Sequence, residues 1–358
     1  MTDHKLLLKP EDFKSSLRGM DVEGAFNPAA IRLPNKKIML YVRVAEGPRK
    51  LKRLGSPIIV SKERYKYKYK IERKLKREIL ARKGNVLYLR DGVCRLLNLS
   101  HFRKVVLNKN GFDVEKIGKR PAFTGLPHDG NLGVEDARIV KVRGKYLMTY
   151  VTVSSYEGAS TSLAISENLT NWKREGIIFR EQNKDVVIFP EKIKGRYVAL
   201  HRPEGFFSFS KPSVWISYSK DLTYWGEDKS LFHPRSKSWE NERIGAGPPP
   251  IKTKEGWLVI YHGLKGEGER RKYNAGAVLL SLKNPEKILA RTPKTEPLMT
   301  PNKSYQKKGY INNVVFPTGI VRDLNEKDLL IYSGGADSIT SVEKMPIKKI
   351  LNSMTYLE

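Results

Sequence analysis

Two adjacent carboxylates followed by an arginine, Glu135-Asp136-Ala137-Arg138, stand between Gly133 and the apolar run Ile139-Val140-Lys141-Val142. An acidic pair where the chain enters a strand can be presented to a cleft by a rigid element. One such acid could deliver a proton in catalysis. The same residues would serve equally in an ion pair or a turn, so the rest of the chain has to decide. Other polar groups gather beside strand-like runs. They are Asn27 and Arg43; Lys184, Asp185, Lys192, His201 and Arg202; Glu240, Glu242, Arg243, His262 and Tyr273; and Asp337 in Gly334-Gly335-Ala336-Asp337. The set is lopsided, with one carboxylate pair alone and several cations and two histidines elsewhere. Ordinary glycoside hydrolysis uses two carboxylates, an acid and a base or nucleophile. Phosphorolysis uses only the acid, because inorganic phosphate is the nucleophile and cations bind it. Arg202, Arg243, His262 and Tyr273 suit that second role.

The elements that would position these residues repeat. A strand, a tight turn with Gly, Asn or Asp beside basic residues, and a second strand recur five times, at residues 28–44, 137–151, 190–203, 248–263 and 316–334. Such turns are those hairpins require. Between them Ser166-Glu-Asn-Leu-Thr-Asn-Trp172 echoes Ser219-Lys-Asp-Leu-Thr-Tyr-Trp225, a structural turn with an aromatic residue packed beneath. Five such units arranged radially make an all-β fold, a five-bladed β-propeller, over a single domain spanning 1–358. The ends of the inner strands would line a pocket on one face. A long first gap is filled by an insertion at about 46–85. Within it, residues 61–83 carry eleven Lys/Arg against three Glu. Alternating Tyr-Lys there gives way to a helix-like spacing of Ile71, Leu75 and Ile79, so the insertion is expected to be basic and partly helical near 61–83.

Lys+Arg 67 against Asp+Glu 38 gives a formal charge of +29, which favours anionic partners. No nucleic-acid-binding motif accompanies that charge, so nucleic acid is not expected as a partner. Cys94 is the only cysteine and the six histidines lack ligand spacing, so neither a disulfide nor a catalytic metal is expected. No apolar run reaches transmembrane length and Met1-Thr2-Asp3-His4-Lys5 opens no signal peptide. A cytoplasmic protein without membrane contact is the simplest expectation. Contacts between copies, in a homo-oligomer, would be sought at the insertion and the terminal segments. Only two glutamines beside abundant Lys, Arg and Glu fit a protein from a hot environment.

Seven ordered signatures, Gly133-Val-Glu-Asp-Ala-Arg138, Ile188-Phe-Pro-Glu-Lys-Ile193, Leu200-His-Arg-Pro203, Ile244-Gly-Ala-Gly-Pro-Pro249, Tyr261-His-Gly263, Tyr273-Asn-Ala-Gly276 and Gly334-Gly-Ala-Asp337, resemble glycoside hydrolase family 130. These are the β-mannoside phosphorylases, with some β-mannosidases, and their fold is a five-bladed β-propeller. The resemblance implies that Asp136 is the general acid, relaying its proton through the sugar 3-hydroxyl. It implies that Asp337 holds the mannose, with Asn27, Arg43 and Glu135 beside it. Arg202, Arg243, His262 and Tyr273 match phosphate-binding positions, and Lys184 stands where many members carry an arginine. Lys192 and His201 complete the substrate-binding candidates, and Arg138 reads as structural. The expected partners are a β-mannoside and inorganic phosphate, the latter a co-substrate, with no cofactor. The expected reaction is inverting phosphorolysis of terminal β-1,2- or β-1,4-linked manno-oligosaccharides to α-mannose 1-phosphate. Two alternatives stand beside it. One is a β-mannosidase using water with Glu240 or Glu242 as base; the other is a non-catalytic propeller binding carbohydrate or a polyanion.

Overall fold

A continuous apolar run such as Leu258-Val-Ile-Tyr261 can be a strand only where both faces are covered. The computed structural model describes residues 3–51, 54–63, 66–205, 209–266 and 268–357, and it covers both faces of this run. Leu258 and Ile260 enter one apolar core, while Val259 and Tyr261 enter the next. The fold is all-β, built on five antiparallel sheets whose strands follow one another in chain order. Sheet one holds Met20–Arg32, Ile38–Pro48, Leu99–Leu107 and Val114–Ile117. Sheet two holds Val134–Val142, Lys145–Ser154, Gly158–Ser166 and Lys173–Phe179. Asn183–Ile188, Tyr197–Pro203, Val214–Ser219 and Trp225–Phe232 form sheet three. Sheet four contains Arg243–Ala246, Trp257–Lys265, Lys272–Leu280 and Ile288–Arg291. Val315–Arg322, Asp328–Gly335 and Ile339–Pro346 make sheet five, completed at its outer edge by His4–Leu8.

One apolar core lies between each pair of successive sheets, and a fifth lies between sheets five and one. The sheets therefore close into a ring. Its seam is the antiparallel pairing of Lys5 with Val342 and of Leu6 with Ser341. The first strand of each sheet faces the middle of the ring, where the first strands of sheets one, two, three and five touch one another. The two echoing turns are structural as expected. Asn168 Oδ1 accepts from the amides of Thr170 and Asn171, and Asp221 Oδ1 accepts from those of Thr223 and Tyr224. In the third repeat the first strand ends at Ile188, before Pro190, and in the fourth Gly247-Pro248-Pro249-Pro250 interrupts the inner strand. Proline has no amide to give to a ladder.

The insertion is not helical. Gly55–Glu63 pairs with Lys66–Arg73, and Ile79–Lys83, Val86–Leu89 and Cys94–Leu96 form a second small sheet. Only the 3-10 turn Lys76–Glu78 separates them. Tyr-Lys alternation has the period of a strand, and Ile71, Leu75 and Ile79 fall on two strands and the link between them. Leu75 is exposed instead of facing a core. The two small sheets reach Leu96, beyond the expected boundary, and are pinned to the entrance of sheet two. Ile58 and Leu96 pack on Leu132, and the Ile59 amide donates to the Asn131 carbonyl at 2.9 Å. Arg64 and Tyr65 of the basic segment lie outside the described residues. Among the described residues no helix is long and apolar enough to cross a membrane.

Leu8 is 1% exposed and sits in the core that joins sheets five and one. Leu8→Ala is expected to lower stability by about 2–4 kcal/mol in denaturant titration. Lys5→Ala, on the exposed face of the same strand, is expected to shift the midpoint far less.

Candidate active site

The inner strands carry a repeated irregularity. Their ladders break register between Phe26 and Ala29, Glu135 and Arg138, Lys184 and Val187, and Pro317 and Gly319. Each break is a β-bulge, which kinks a strand and re-aims a side chain. Asn27, Asp136 and Asp185 occupy three of these bulges with φ of 47°, 51° and 55°. That left-handed region is one that Asn and Asp enter more readily than other side chains. The fourth bulge holds Thr318, whose hydroxyl donates to the Pro28 carbonyl at 2.9 Å and ties sheets five and one. Asp337, just past the second strand of sheet five, also has positive φ.

Arg43, on the second strand of sheet one, gathers the first cluster. It donates from Nη2 to Glu135 Oε1 at 2.6 Å and from Nη1 to Asp136 Oδ1 at 3.1 Å. Its Nε donates to Ser100 Oγ at 3.0 Å, and its guanidinium lies 4.7 Å over the Phe26 ring. Asn27 Nδ2 donates to the same Asp136 oxygen at 2.9 Å. Burial pushes the Asp136 carboxyl up. Arg43, Arg138, the Asn27 amide and Lys184 outweigh it, and the group stays ionised below the usual carboxylate range. Asp337 goes the other way. Burial, with Asp136 and Glu135 adding repulsion, lifts it to about 6 against the pull of Arg43 and Arg271. Neighbouring carboxyls are thus driven apart, one charged and one holding its proton into the weakly acidic range. A methyl group at Gly334 would overlap Asn27, so the glycine is what lets sheets five and one approach here.

Asp185 gathers the second cluster. It pairs with Arg202 Nη1, with His262 Nε2 at 3.2 Å and with Arg138 Nη2 at 3.6 Å. Burial opposes ionisation of Asp185, but Arg202, His262 and Arg138 hold its carboxyl well below the usual range. Burial also lowers His262, which Asp185 offsets only in part. Gly245, opposite His262 in sheet four, leaves the space these groups fill; a methyl there would meet Asp185, Arg202 and His262. Arg202 also bonds Glu204 at 2.8 Å, and Arg243 reaches the same carboxylate at 3.5 Å. The Tyr273 ring stands 6.2 Å from His262. Lys184 is the cross-strand partner of Arg202 and also acts on Asp136. Arg138 joins the clusters, donating to the Gly247 carbonyl at 2.6 Å and the Asp136 carbonyl at 2.8 Å. An open cleft of 670 Å³ lined by Glu157, Arg180 and Asn183 adjoins the second cluster at Glu204.

The structure thus brings together Asn27, Arg43, Glu135, Asp136 and Asp337, and beside them Lys184, Arg202, Arg243, His262 and Tyr273. Lys192 is elsewhere. It lies in the turn at the opposite end of the sheet-three hairpin, over Tyr197 at 4.2 Å. His201 is adjacent to Arg202 on a strand, so it points to the opposite face. There it meets Asn183 at 2.9 Å and Asp228 at 3.0 Å and stacks on Phe179. Neither is placed to touch a ligand of the central clusters. Glu240 is fully buried between Arg235 and Arg291, at 2.5 and 2.8 Å, which removes it as a base for water. Glu242 pairs with Lys211 and with Asn241. The sequence reading gave Asp185 no role and passed over Glu204 and Arg271. The signal for Asp185 was its place in the repeat, level with Asn27 and Asp136. Among the described residues no cluster of three or more His, Cys, Asp or Glu side chains could hold a metal ion.

Two outcomes test this electrostatic frame. Asp185→Asn removes the carboxylate that Arg138 and Arg202 share, leaving Arg202 only Glu204, and is expected to cost about 3–5 kcal/mol in urea titration. Asp337 titrates near 6 in the fold, against about 4 in an unfolded chain. Its contribution to stability is therefore full below about pH 4 and lost as pH rises through 6. Asp337→Asn should be more stable than the parent at about pH 8, by roughly 2–3 kcal/mol, and should lose that advantage by about pH 4.

The chain is 34% identical over 361 residues to a β-1,2-mannobiose phosphorylase of Listeria innocua, with 97% of this chain and 96% of that protein covered. It is 38% identical over 246 residues to a 1,2-β-oligomannan phosphorylase of Thermoanaerobacter sp., covering 68% of this chain and 78% of the relative. The Listeria innocua β-1,2-mannobiose phosphorylase, solved with β-1,2-mannobiose, superposes with a TM-score of 0.87 at 32% identity, covering 97% and 96% of the two chains. The profile of the family Glyco_hydro_130, described as β-1,4-mannooligosaccharide phosphorylase, matches residues 107–356. Ring, bulge-borne acid and ordered signatures agree with these likenesses: the chain belongs to glycoside hydrolase family 130.

Proposed function

We propose that this chain is a β-mannoside phosphorylase, a single-domain five-bladed β-propeller acting in the cytoplasm on terminal β-mannosides with inorganic phosphate. The observation that carries the reading is the pairing of two unlike clusters. One is a carboxylate set around Arg43; the other is a cation set of Arg202, His262, Arg243 and Lys184. Of the two carboxylates that could serve a hydrolase as base, Glu240 is fixed between two arginines and Glu242 pairs with Lys211. The linkage we favour is β-1,2. The Listeria innocua relative aligned over nearly the whole chain carries that linkage in its name, and that alignment takes in residues before 107, which the family profile leaves out.

Mannose sits against Asp337, Arg43, Asn27 and Glu135. Phosphate enters at Arg202 and Arg243 by displacing the Glu204 carboxylate, exchanging one anion for another on the same donors. His262 and Tyr273 flank it. Its added negative charge cancels the influence of Lys184 on Asp136, and the sugar excludes water, so Asp136 gains a proton as the complex forms. A phosphate oxygen then attacks the anomeric carbon from the face opposite the leaving group. The glycosidic bond breaks with its electrons to oxygen. Asp136 gives its proton to the sugar 3-hydroxyl, which passes its own to that oxygen. The proton of hydrogen phosphate passes to Asp136 after the attack and leaves to solvent as the products depart, matching the one taken up on binding, so α-mannose 1-phosphate and the freed hydroxyl balance the reactants. Arg138 holds the backbone carbonyl of Asp136 and touches Asp185, which orders Arg202 and His262.

β-1,2-Mannobiose with phosphate is expected to yield α-mannose 1-phosphate, with no sugar released when phosphate is omitted. Asp136→Asn should reduce kcat by about 10²- to 10⁴-fold with little change in the KM for phosphate. Equal release of mannose with and without phosphate would overturn the phosphorylase reading.

A further inference from the structure

The insertion reaches the sugar cluster. Its strands Ile79–Lys83 and Val86–Leu89 are joined by the two-residue turn Gly84–Asn85, with Lys83 paired to Val86. Two-residue hairpins favour Gly and Asn because the turn needs positive φ, and Gly84 has φ 58°. The turn is held in place. The Asn85 carbonyl accepts from the Leu97 amide at 2.8 Å, and Asn85 Nδ2 donates to Asn98 Oδ1 at 3.2 Å. Asn98 Nδ2 in turn donates to Glu23 Oε2 at 3.2 Å. Gly84 borders the Tyr310 ring, and Arg82 hydrogen-bonds the Tyr310 hydroxyl. Tyr310 itself feels the charges of Glu23 and Asp337.

These groups line a small open pocket of 40 Å³, together with Arg43 and Asp337. That volume holds about three water-sized groups, too few for a further sugar ring. Carboxylate, amide and guanidinium groups converging on so small a space match the alternating donors and acceptors of sugar hydroxyls.

We propose that Asn85, presented by the insertion, is a specificity-determining residue that, with Asn98, reads the hydroxyl edge of the sugar seated against Arg43 and Asp337. The proposal rests on the reading of that cluster as a mannoside site and adds to it a wall supplied by residues 79–98. The basic segment is then the outer part of a substrate-recognition element. A sugar extended through the hydroxyls that enter the cavity collides with Asn85 and Tyr310, so the insertion admits only an unsubstituted edge.

The test is calorimetric binding of methyl β-mannoside and its monodeoxy analogues in phosphate-free buffer, to the parent and to Asn85→Ala, with Asn85→Ser as the second variant should the first fail to fold. Asn85→Ala is expected to weaken binding of the parent sugar roughly three- to tenfold. The analogue lacking the contacted hydroxyl should bind parent and variant alike, because the same interaction is removed from either side. The KM for phosphate in the phosphorolysis assay should be unchanged. Unaltered sugar affinity in a folded variant overturns the assignment while leaving the mannoside site intact. Equal losses for every analogue in both proteins assign Asn85 a structural role and overturn it too. A parent protein that binds no mannoside at all removes the site reading and this proposal with it.

Discussion

A buried guanidinium shared among carboxylates governs this site. Arg43 is almost fully enclosed, and it pairs with Glu135 and Asp136 while acting on Asp337. Removing such a charge from water is costly unless counter-charges meet it, and two acids side by side repel unless a cation lies between them. Each side of the cluster therefore requires the other. Arg43 belongs to sheet one, Glu135 and Asp136 to sheet two, and Asp337 to the turn between the second and third strands of sheet five. The ion cluster can form only when three sheets have met in the middle of the ring.

The second cluster follows the same rule with the sign reversed. Asp185 is one carboxylate among Arg202, His262 and Arg138, drawn from sheets two, three and four. An excess of negative charge on one side and of positive charge on the other is what an enzyme joining a neutral sugar to an anion requires. Arg138 spans the boundary and keeps the two at a fixed spacing. Such spacing is worth more than affinity, because small displacements of reacting groups cost large factors in rate.

Much of this could be read from residue order. Five hairpins, the ring they imply and the two sets of site residues were all visible as repeats of pattern and as signatures. The errors have physical origins. Lys192 and His201 were chosen for residue type near a repeat. A hairpin has two ends and a strand two faces, and one residue's step or one turn's length decides between them. Glu240 was an acid at a suitable place in sequence, but its burial between two arginines is a long-range fact that no local pattern carries. The basic insertion misled because apolar residues four apart fit a helix as well as two short strands. Asn85 was invisible for a further reason: a Gly-Asn turn announces a hairpin and says nothing about what lies across from it.

The seam between His4–Leu8 and Ile339–Pro346 has a kinetic consequence. The strand that closes the ring comes from the start of the chain and its partner from near the end, so their contact has one of the largest sequence separations in the molecule. Such contacts form late and slow folding. Until then both strands carry unpaired edges, the places where one chain can wrongly pair with another. During synthesis sheets two and three can each complete themselves from consecutive strands. The two clusters that span the ring then settle only when the last sheet takes up the first strand. Assembly of the site is thus a reporter of ring closure, and conditions that open the seam are expected to extinguish binding before the separate sheets melt.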